Sequence, residues 1–501
     1  MNSFARIFAV TSVFFCLFST AYGLTYTVTK TADTNDGVCD ADCSFREAVF
    51  AANATVENDT IAFSALFNSA QTITLLSGEI VVAANGALTI DGPGANLLTL
   101  SGNNASRILA SSANVVVNIN NLRFTAGNGA GTTNTGRGGA IYNVGGTMTI
   151  TNSIFTGNSA SNGGALNNAA WTASTPDVPA VLTIVNSVFT NNSSTSSGAA
   201  MQNFATSTLN IVNSTVANNN SSNTGIAAAL QANGTVTITN STFSGNIAPT
   251  GTGGGVYFNG SSMTMTNTTI VGNSCGVGGG GLHRTGTNPA NIRNSIIANN
   301  TGAAATPDVL GVVNSQGTNI IGNIGTSTGW IGTDLQNINP LLGALADNGG
   351  LGATHLPQPG SPALNAGQNC VVDLSCPAGN PPQAVTTDQR GVTRPQNVTV
   401  DIGSVEVAVA VSATVSGQVL SPVGGGVRNV WVTISNPGGV VATARTNSFG
   451  YFTLRNVPTG SYTLEVVAKQ YSFTPQIINV TGDVAGITII ASSEPFNEFK
   501  F

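Results

Sequence analysis

The chain has 501 residues and very little charge: 7% of the residues are charged, and the formal net charge is −6. Its only lysines are Lys30, Lys469 and Lys500, so the sequence offers no basic surface for phosphates and we expect no nucleic-acid partner. Glycine accounts for 60 residues, which indicates a chain with many sharp turns.

Residues 1–23 have the pattern of a secretory signal peptide. Arg6 precedes an apolar run from Ile7 to Phe18, and Ala21-Tyr22-Gly23 is a cleavage site of small residues. The apolar run is too short to span a bilayer. We therefore expect a secreted or cell-surface protein with no transmembrane segment in its mature chain.

Residues 24–110 are predicted to form an N-terminal cap and the first coils of a repeat structure. Ser44 followed by Glu47 is a capping box, and the apolar residues from Phe45 to Ala52 recur at helical spacing. A short helix at this place would cover the open first coil.

The same segment carries a family resemblance. Cys43-Ser44-Phe45-Arg46-Glu47-Ala48 resembles the Cys-Ser-Leu-Arg-Glu-Ala signature of the CSLREA domain, with Phe45 in place of leucine. The resemblance implies an exported bacterial β-helix protein.

Residues 111–320 contain a repeated motif, Asn-Ser/Thr-Xaa-Phe/Ile/Val-Xaa-Xaa-Asn. It begins at Asn121, Asn152, Asn186, Asn213, Asn240, Asn267 and Asn294, and the last four intervals are all 27 residues. A constant period of this size indicates a solenoid. Runs such as Thr147-Met148-Thr149-Ile150-Thr151 alternate polar and apolar residues, which predicts short strands with one buried face. Because no helix alternates with these strands, we predict an all-β, right-handed parallel β-helix with about three strands in each coil.

The last asparagine of each motif is predicted to bond to its counterparts in the neighbouring coils. This structural ladder would consist of Asn158, Asn192, Asn219, Asn246, Asn273 and Asn300. Other asparagines and the glycines suit the corners, where positive backbone φ angles are needed. The Gly-Gly-Ala-Ile and Phe-Xaa-Xaa-Asn elements are similar to the repeat of chlamydial polymorphic outer-membrane proteins.

Residues 321–410 leave the repeat and are predicted to close the far end of the solenoid. Segments such as Gly360–Gly367 and Asp401–Glu406 resemble the choice-of-anchor Q type of bacterial surface protein. We interpret the charged residues of this region as a salt-bridged structural cap, with a carboxylate site as the alternative. They are Asp388, Arg390, Asp401 and Glu406.

Residues 411–501 show short apolar runs separated by turn residues every eight to twelve positions, which predicts a small β-sandwich. Runs such as Val430–Ile434 and Val457–Val466 resemble a carboxypeptidase regulatory-like domain. This is a prealbumin-like module that is non-catalytic despite its name.

The cysteine spacing predicts two local disulfides, Cys39 with Cys43 and Cys370 with Cys376. A zinc site is the alternative, but the two histidines stand apart from these pairs in sequence. Cys275 is expected to be a buried free thiol. We expect no metal and no cofactor, although the acidic loop before the first helix could hold a structural ion.

Two classes of function remain. Polysaccharide lyases and glycoside hydrolases with a β-helix fold need grouped carboxylates or acidic calcium ligands. From Asn121 to Ile320 the acidic residues are Asp177 and Asp308, 131 positions apart, so we expect a structural or adhesive protein without enzymatic activity.

Its partners would be glycans or other cell-surface components. The predicted contact residues are Trp171, Tyr142 and Tyr257, and Trp171 lies in an insertion between Ala169 and Ala180 where a binding loop is expected.

Overall fold

The structure is a computed structural model that describes residues 23–83, 85–172, 176–222, 226–227, 229–302, 307–407, 412–458 and 460–492. Residues 1–22 of the predicted signal peptide lie outside these ranges. The chain forms two compact units, with the boundary between Val407 and Ala408. In the part of the chain that is described, no helix is both long and apolar enough to cross a membrane.

The first unit is a parallel β-solenoid, as the period predicted. Each strand pairs in parallel with the equivalent strand of the next coil. Sheet 1 has eleven strands: Thr25–Val28, Asp59–Phe63, Ala87–Asp91, Val116–Asn120, Thr147–Thr151, Val181–Val185, Thr208–Val212, Thr235–Thr239, Ser262–Thr266, Ala290–Arg293 and Asn314–Ser315. Sheet 2 has eleven: Gln71–Thr74, Leu98–Ser101, Arg123–Thr125, Ile154–Thr156, Val188–Thr190, Thr215–Ala217, Thr242–Ser244, Thr269–Val271, Ile296–Ala298, Ile320–Ile321 and Leu335–Gln336.

Two further sheets complete the coils. Sheet 3 has five strands: Ser159–Asn162, Ser193–Ser197, Asn220–Ser221, Ile247–Ala248 and Ser274–Cys275. Sheet 4 has nine: Ile80–Val82, Leu109–Ser111, Ile141–Val144, Leu166–Ala169, Met201–Asn203, Leu230–Ala232, Val256–Phe258, Leu282–Arg284 and Val309–Leu310. Five coils therefore have four strands rather than the expected three. The short strands of sheet 3 are mostly Ser, Asn and Ala, so they lack the apolar alternation that identifies a strand in sequence.

The core is formed by aligned columns of side chains. Met148 and Ile150 lie in register with Leu182 and Ile184 of the next coil, and all four are buried. Phe155 stacks between Phe124 and Phe189, with ring centroids 4.6 Å apart on each side. Identical positions superpose because each coil repeats the same turn sequence.

The predicted ladder residues also lie in one buried column. The Asn158 amide donates to Asn192 Oδ1 at 3.0 Å, and the pattern continues through Asn219, Asn246, Asn273 and Asn300. Each of these amides also donates to a backbone carbonyl, as Asn192 does to Phe155. The first asparagine of each motif instead forms a corner, with a positive φ from Asn121 to Asn294.

An α-helix, Phe45–Asn53, covers the first coil. Its capping box is complete, because the Ser44 hydroxyl accepts from the Glu47 backbone N–H and the Glu47 carboxylate accepts from the Ser44 N–H. Phe45, Ala48, Val49 and Ala52 are buried against the coil. A 3₁₀ helix, Ala65–Asn68, follows in the next connection.

The segment from residue 340 to residue 407, here called the lateral segment, belongs to the predicted closing region and contacts one of the last coils, where the Gln368 backbone N–H donates to Asn294 Oδ1 at 2.9 Å. It lies along sheet 2, where Thr215 donates to the Ala353 carbonyl at 2.9 Å and Thr242 donates to Gln389 Oε1 at 2.6 Å. These threonines belong to the middle coils, so this part of the predicted closing region lies against the side of the solenoid. Four outward residues of sheet 2, Thr215, Thr242, Ser244 and Thr269, have hydroxyl groups that form hydrogen bonds with this segment. The segment includes a short helix, Cys370–Asp373.

The second unit is a β-sandwich, as predicted. One sheet contains Ser412–Leu420, Tyr451–Pro458 and Val484–Ile490, and the other contains Trp431–Asn436, Gly439–Arg445, Gly460–Val467 and Gln476–Val480. Buried residues of both sheets, among them Val432, Leu454 and Leu464, form its core.

Candidate functional site

A cleft of about 540 Å³ lies beside sheet 4, next to the insertion that carries Trp171. We call it the Trp171 cleft. It is lined by Asn134, Arg137, Tyr142, Val144, Ala169, Ala170, Trp171, Thr172, Asp177, Phe204, Ala205 and Thr206.

Regular strands hold the base of the cleft, and the insertion forms one wall. Trp171 lies two residues after the end of the strand Leu166–Ala169. It exchanges backbone hydrogen bonds with Val178, at 2.8 Å and 3.0 Å, so that the two ends of the inserted segment are joined. Gly145 permits the close approach of this loop, because a Cβ at that residue would lie 2.8 Å from Trp171 Cβ. The wall is therefore anchored to the scaffold at its base.

The opposite side of the cleft is an ordered group of polar and aromatic side chains. The Arg137 guanidinium carbon lies 4.5 Å from the centroid of the Phe204 ring, a cation–π contact. Arg137 also donates to the Tyr142 hydroxyl at 3.4 Å, and Asn134 donates to the same oxygen at 3.1 Å. The position of Arg137 is thus set by two aromatic neighbours.

The three predicted contact aromatics have different environments. Trp171 is 36% exposed and lines the cleft, whereas Tyr142 is only 1% exposed. Tyr142 therefore cannot offer a ring face to a sugar, and the expectation of a direct contact is wrong for this residue. Its ring is covered by the buried Arg107 guanidinium, 5.1 Å from the ring centroid. Burial lowers the pKa of Arg107, and Glu79, which is 2.6 Å away, opposes that shift.

Tyr257 lies in the same sheet but four strands from Tyr142, outside the cleft. Its hydroxyl is 3.1 Å from Thr285 Oγ1, and its ring meets the edge of His283 at a centroid distance of 5.3 Å. Burial lowers the pKa of His283, and its Nδ1 has no hydrogen-bond partner among the described residues. Tyr257 is half-buried and belongs to a separate surface.

The sequence did not indicate that three residues of the cleft belong to one site. They are Arg137, Asp177 and Phe204. The available signal was the scarcity of charge: from residue 124 to residue 282, Arg137 and Asp177 are the only Lys, Arg, Asp or Glu residues in the sequence. The fold brings both of them to the same cleft.

The acidic loop at the N-terminus does not converge on one point. Asp33 forms a buried ion pair with Arg46 at 2.8 Å, and Asp42 pairs with Lys30 at 2.9 Å. Asp36 and Asp40 accept from backbone N–H groups two residues further on. Across the described ranges, no group of three or more His, Cys, Asp or Glu side chains could hold a metal ion.

The four charged residues predicted to form a cap, Asp388, Arg390, Asp401 and Glu406, are joined in one network with Arg394. Asp388 pairs with Arg390 at 2.7 Å, and Glu406 pairs with Arg394 at 2.8 Å. Asp401 accepts from the backbone N–H groups of Asn365 and Val407. Burial raises the pKa of Glu406 and of Asp401. Because these carboxylates are buried among partners of their own segment, the geometry is that of a structural network.

Both predicted disulfides are present, Cys39–Cys43 and Cys370–Cys376. Cys275 is a free thiol, but it is partly exposed rather than buried. Its Sγ lies 3.1 Å from the carbonyl oxygen of Gly278.

The chain thus consists of a parallel β-solenoid with a small cleft and a separate β-sandwich. Residues 414–491 match the family of carboxypeptidase regulatory-like domains, which assigns the β-sandwich to that family. A comparison with curated proteins found no match.

Proposed function

We propose that this protein is exported and acts as a surface scaffold that contacts glycans through the Trp171 cleft. One observation carries the proposal. The two charged residues of a stretch of about 160 positions, Arg137 and Asp177, meet beside an exposed tryptophan in one cleft. A concave site with aromatic side chains and a few polar groups is the usual form of a small-ligand site.

The chemistry of the lining suits a sugar. Trp171 offers an apolar ring that can cover the C–H face of a pyranose, while Arg137, Asp177 and Asn134 can bond to hydroxyl or carboxylate groups. Arg137 is already held by Phe204 and Tyr142. Less side-chain freedom is lost on binding when a contact group is ordered beforehand.

The two disulfides support the export part of the proposal. Disulfides persist in oxidising compartments outside the cytosol and are rare within it. Cys39–Cys43 and Cys370–Cys376 join cysteines that are four and six positions apart, in parts of the chain that lie outside the regular repeat.

We further propose that the cleft has no catalytic role. Glycoside hydrolysis uses a pair of carboxylates on opposite sides of the glycosidic bond. In the described lining of the cleft, Asp177 is the one carboxylate. This composition favours binding over bond cleavage.

A glycan array tests the proposal, with wild type compared with Trp171→Ala and Trp431→Ala. Trp431 is the matched control, because it is also exposed, at 48%, but lies in the β-sandwich. We expect Trp171→Ala to weaken binding about tenfold or more and Trp431→Ala to leave it unchanged. Binding that survives Trp171→Ala, or no binding by the wild type, would reject the cleft as a glycan site.

The proposal that the cleft has no catalytic role needs a separate assay. The wild type is incubated with a panel of polysaccharides, and reducing ends and unsaturated products are measured. We expect neither product, and a product signal lost in Asp177→Asn would favour the lyase or hydrolase alternative.

A further inference from the structure

Arg293 is a buried cation whose partners are uncharged. It is the last residue of the strand Ala290–Arg293, and its side chain is 1% exposed. Within the described part of the chain it donates to Gln368 Oε1 at 2.7 Å, to Gln316 Oε1 at 3.3 Å and to the Gly379 carbonyl at 3.4 Å. None of these groups carries a negative charge.

Other buried arginines of the protein are compensated. Arg46 pairs with Asp33, Arg107 with Glu79 and Arg394 with Glu406. Removing a charge from water is costly unless an opposite charge accompanies it. Burial lowers the pKa of Arg293, as expected for a cation without a counter-ion.

A sulfur atom occupies the place where a counter-ion would lie. The Arg293 Nη1 atom is 3.0 Å from Cys370 Sγ, which is disulfide-bonded to Cys376. The nearest carboxylate on the same short helix, Asp373, accepts from Ser375. In the disulfide form the sulfur carries no charge, whereas a Cys370 thiolate would supply the missing negative charge.

We propose that Cys370–Cys376 is a thiol–disulfide exchange site, at which a dithiol reductant releases Cys370 as a thiolate that pairs with Arg293. A neighbouring arginine lowers the pKa of a thiol, and a thiol of low pKa is the better leaving group. Cys370 and Cys376 are both partly exposed, so a small reductant can reach them.

The exchange balances in two steps. A thiolate of the reductant attacks Cys376 Sγ, the Cys370–Cys376 bond breaks, and Cys370 leaves as the thiolate. The second thiol of the reductant then attacks the mixed disulfide and releases Cys376, while the reductant departs as its own disulfide. Two electrons pass to the protein. One proton of the dithiol ends on Cys376 and the other goes to solvent.

The second disulfide serves as an internal control. Cys43 Sγ lies 3.4 Å from the carbonyl oxygen of Ser44, and among the described residues no cationic side chain donates to it. Cys43 is fully buried, so a reductant reaches the Cys39–Cys43 disulfide more slowly. The two disulfides are therefore compared by their reduction equilibria, which do not depend on how fast the reductant reaches them.

The first test equilibrates the full chain with oxidised and reduced dithiothreitol at a series of ratios and quantifies each cysteine by differential alkylation and mass spectrometry. We expect Cys370–Cys376 to be half-reduced at a ratio of oxidised to reduced reagent about tenfold higher in wild type than in Arg293→Gln, equivalent to about 30 mV for a two-electron couple. The Cys39–Cys43 midpoint should not move. Equal midpoints for Cys370–Cys376 in the two proteins would overturn the proposal.

A second test keeps Arg293 intact, so it does not depend on the folding of Arg293→Gln. In Cys376→Ser, with Cys275→Ser to remove the free thiol found among the described residues, the alkylation rate of Cys370 is measured against pH. We expect its midpoint to lie below the ordinary thiol value of about 8.5. A midpoint at or above that value would overturn the proposal.

Discussion

Asp308 ends the internal ladder at Asn300. Its Oδ1 accepts from the Asn300 backbone N–H at 2.8 Å and from the Asn300 side-chain amide at 2.9 Å. Its Oδ2 accepts from the backbone N–H of Asn323 at 2.7 Å. A carboxylate therefore takes the place of the next asparagine where the 27-residue repeat stops.

Replacing Asp308 should destabilise the solenoid in a graded manner. Asp308→Ala removes the shared acceptor of the buried Asn300 backbone and side-chain N–H groups and the acceptor of the Asn323 backbone N–H. We expect a loss of about 2–4 kcal/mol in the free energy of unfolding. Asp308→Asn retains one acceptor oxygen for Asn300 and should lose about 1 kcal/mol. Urea unfolding followed by circular dichroism provides the measurement. Equal losses in the two variants would contradict the ladder-terminating role.

The same residue should give a pH-dependent contribution to stability. Burial raises the pKa of Asp308, although hydrogen bonds from Asn300 and Asn323 oppose the shift. The folded protein then binds more protons than the unfolded chain once the pH exceeds about 3.9. The stability of wild type relative to Asp308→Asn should therefore fall as the pH rises from that value through the folded pKa. If the stability of wild type relative to Asp308→Asn instead increases with pH over this window, the pKa of Asp308 is shifted in the opposite direction.

A substitution in the middle of the ladder should destabilise the protein as much as a substitution at its end. Asn219 accepts from the backbone and side-chain N–H groups of Asn192 and donates to Asn246. Asn219→Ala removes the acceptor of the Asn192 backbone N–H and one of the two hydrogen bonds of the Asn192 amide, and it opens a cavity. We therefore expect a loss of about 2–4 kcal/mol. The adjacent Asn220 is exposed, and Asn220→Ala should change stability by about 0.5 kcal/mol or less. An equally small loss of stability in Asn219→Ala and Asn220→Ala would refute the structural role of the ladder.

The phenylalanine stack should contribute strongly to stability. Phe155 is fully buried between Phe124 and Phe189. We expect Phe155→Ala to lower the melting temperature and to cost about 3–5 kcal/mol. Phe449, which is 70% exposed in the β-sandwich, is the matched control and should tolerate alanine. A Phe155→Ala protein as stable as the control variant would show that the stack is not required.

The solenoid follows from local rules in the sequence. Alternation of the kind seen in Thr147–Thr151 has a period of two and places Met148 and Ile150 inside. The constant interval of 27 residues then aligns each column with the next. A repeat needs only local turn and strand preferences to define its coil, and stacking repeats the same contacts.

A second ladder was not predictable by the same route. Ser111, Asn143, Asn168 and Asn203 are joined by side-chain hydrogen bonds inside sheet 4, but their separations are 32, 25 and 35 residues. Loops of different length lie between these positions, so they share no sequence period. Only the register of the strands shows that they are neighbours.

The lateral segment and the cleft depend on contacts between distant parts of the chain. Thr242 meets Gln389 at a separation of 147 residues, and no local pattern indicates such a pair. Tyr142 could likewise not be recognised as buried, because the Arg107 guanidinium that covers it comes from the preceding coil. These features could therefore be identified only in the structure and not from the sequence.

The central claim, that the Trp171 cleft contacts glycans, is tested most directly by the fluorescence of Trp171 itself. The sequence has three tryptophans, so Trp330→Phe with Trp431→Phe leaves Trp171 as the single reporter. Titration with the best glycan from the array should shift its emission and saturate with the affinity measured for the wild type. Binding of that glycan with no change in Trp171 emission would place the contact elsewhere and contradict the account.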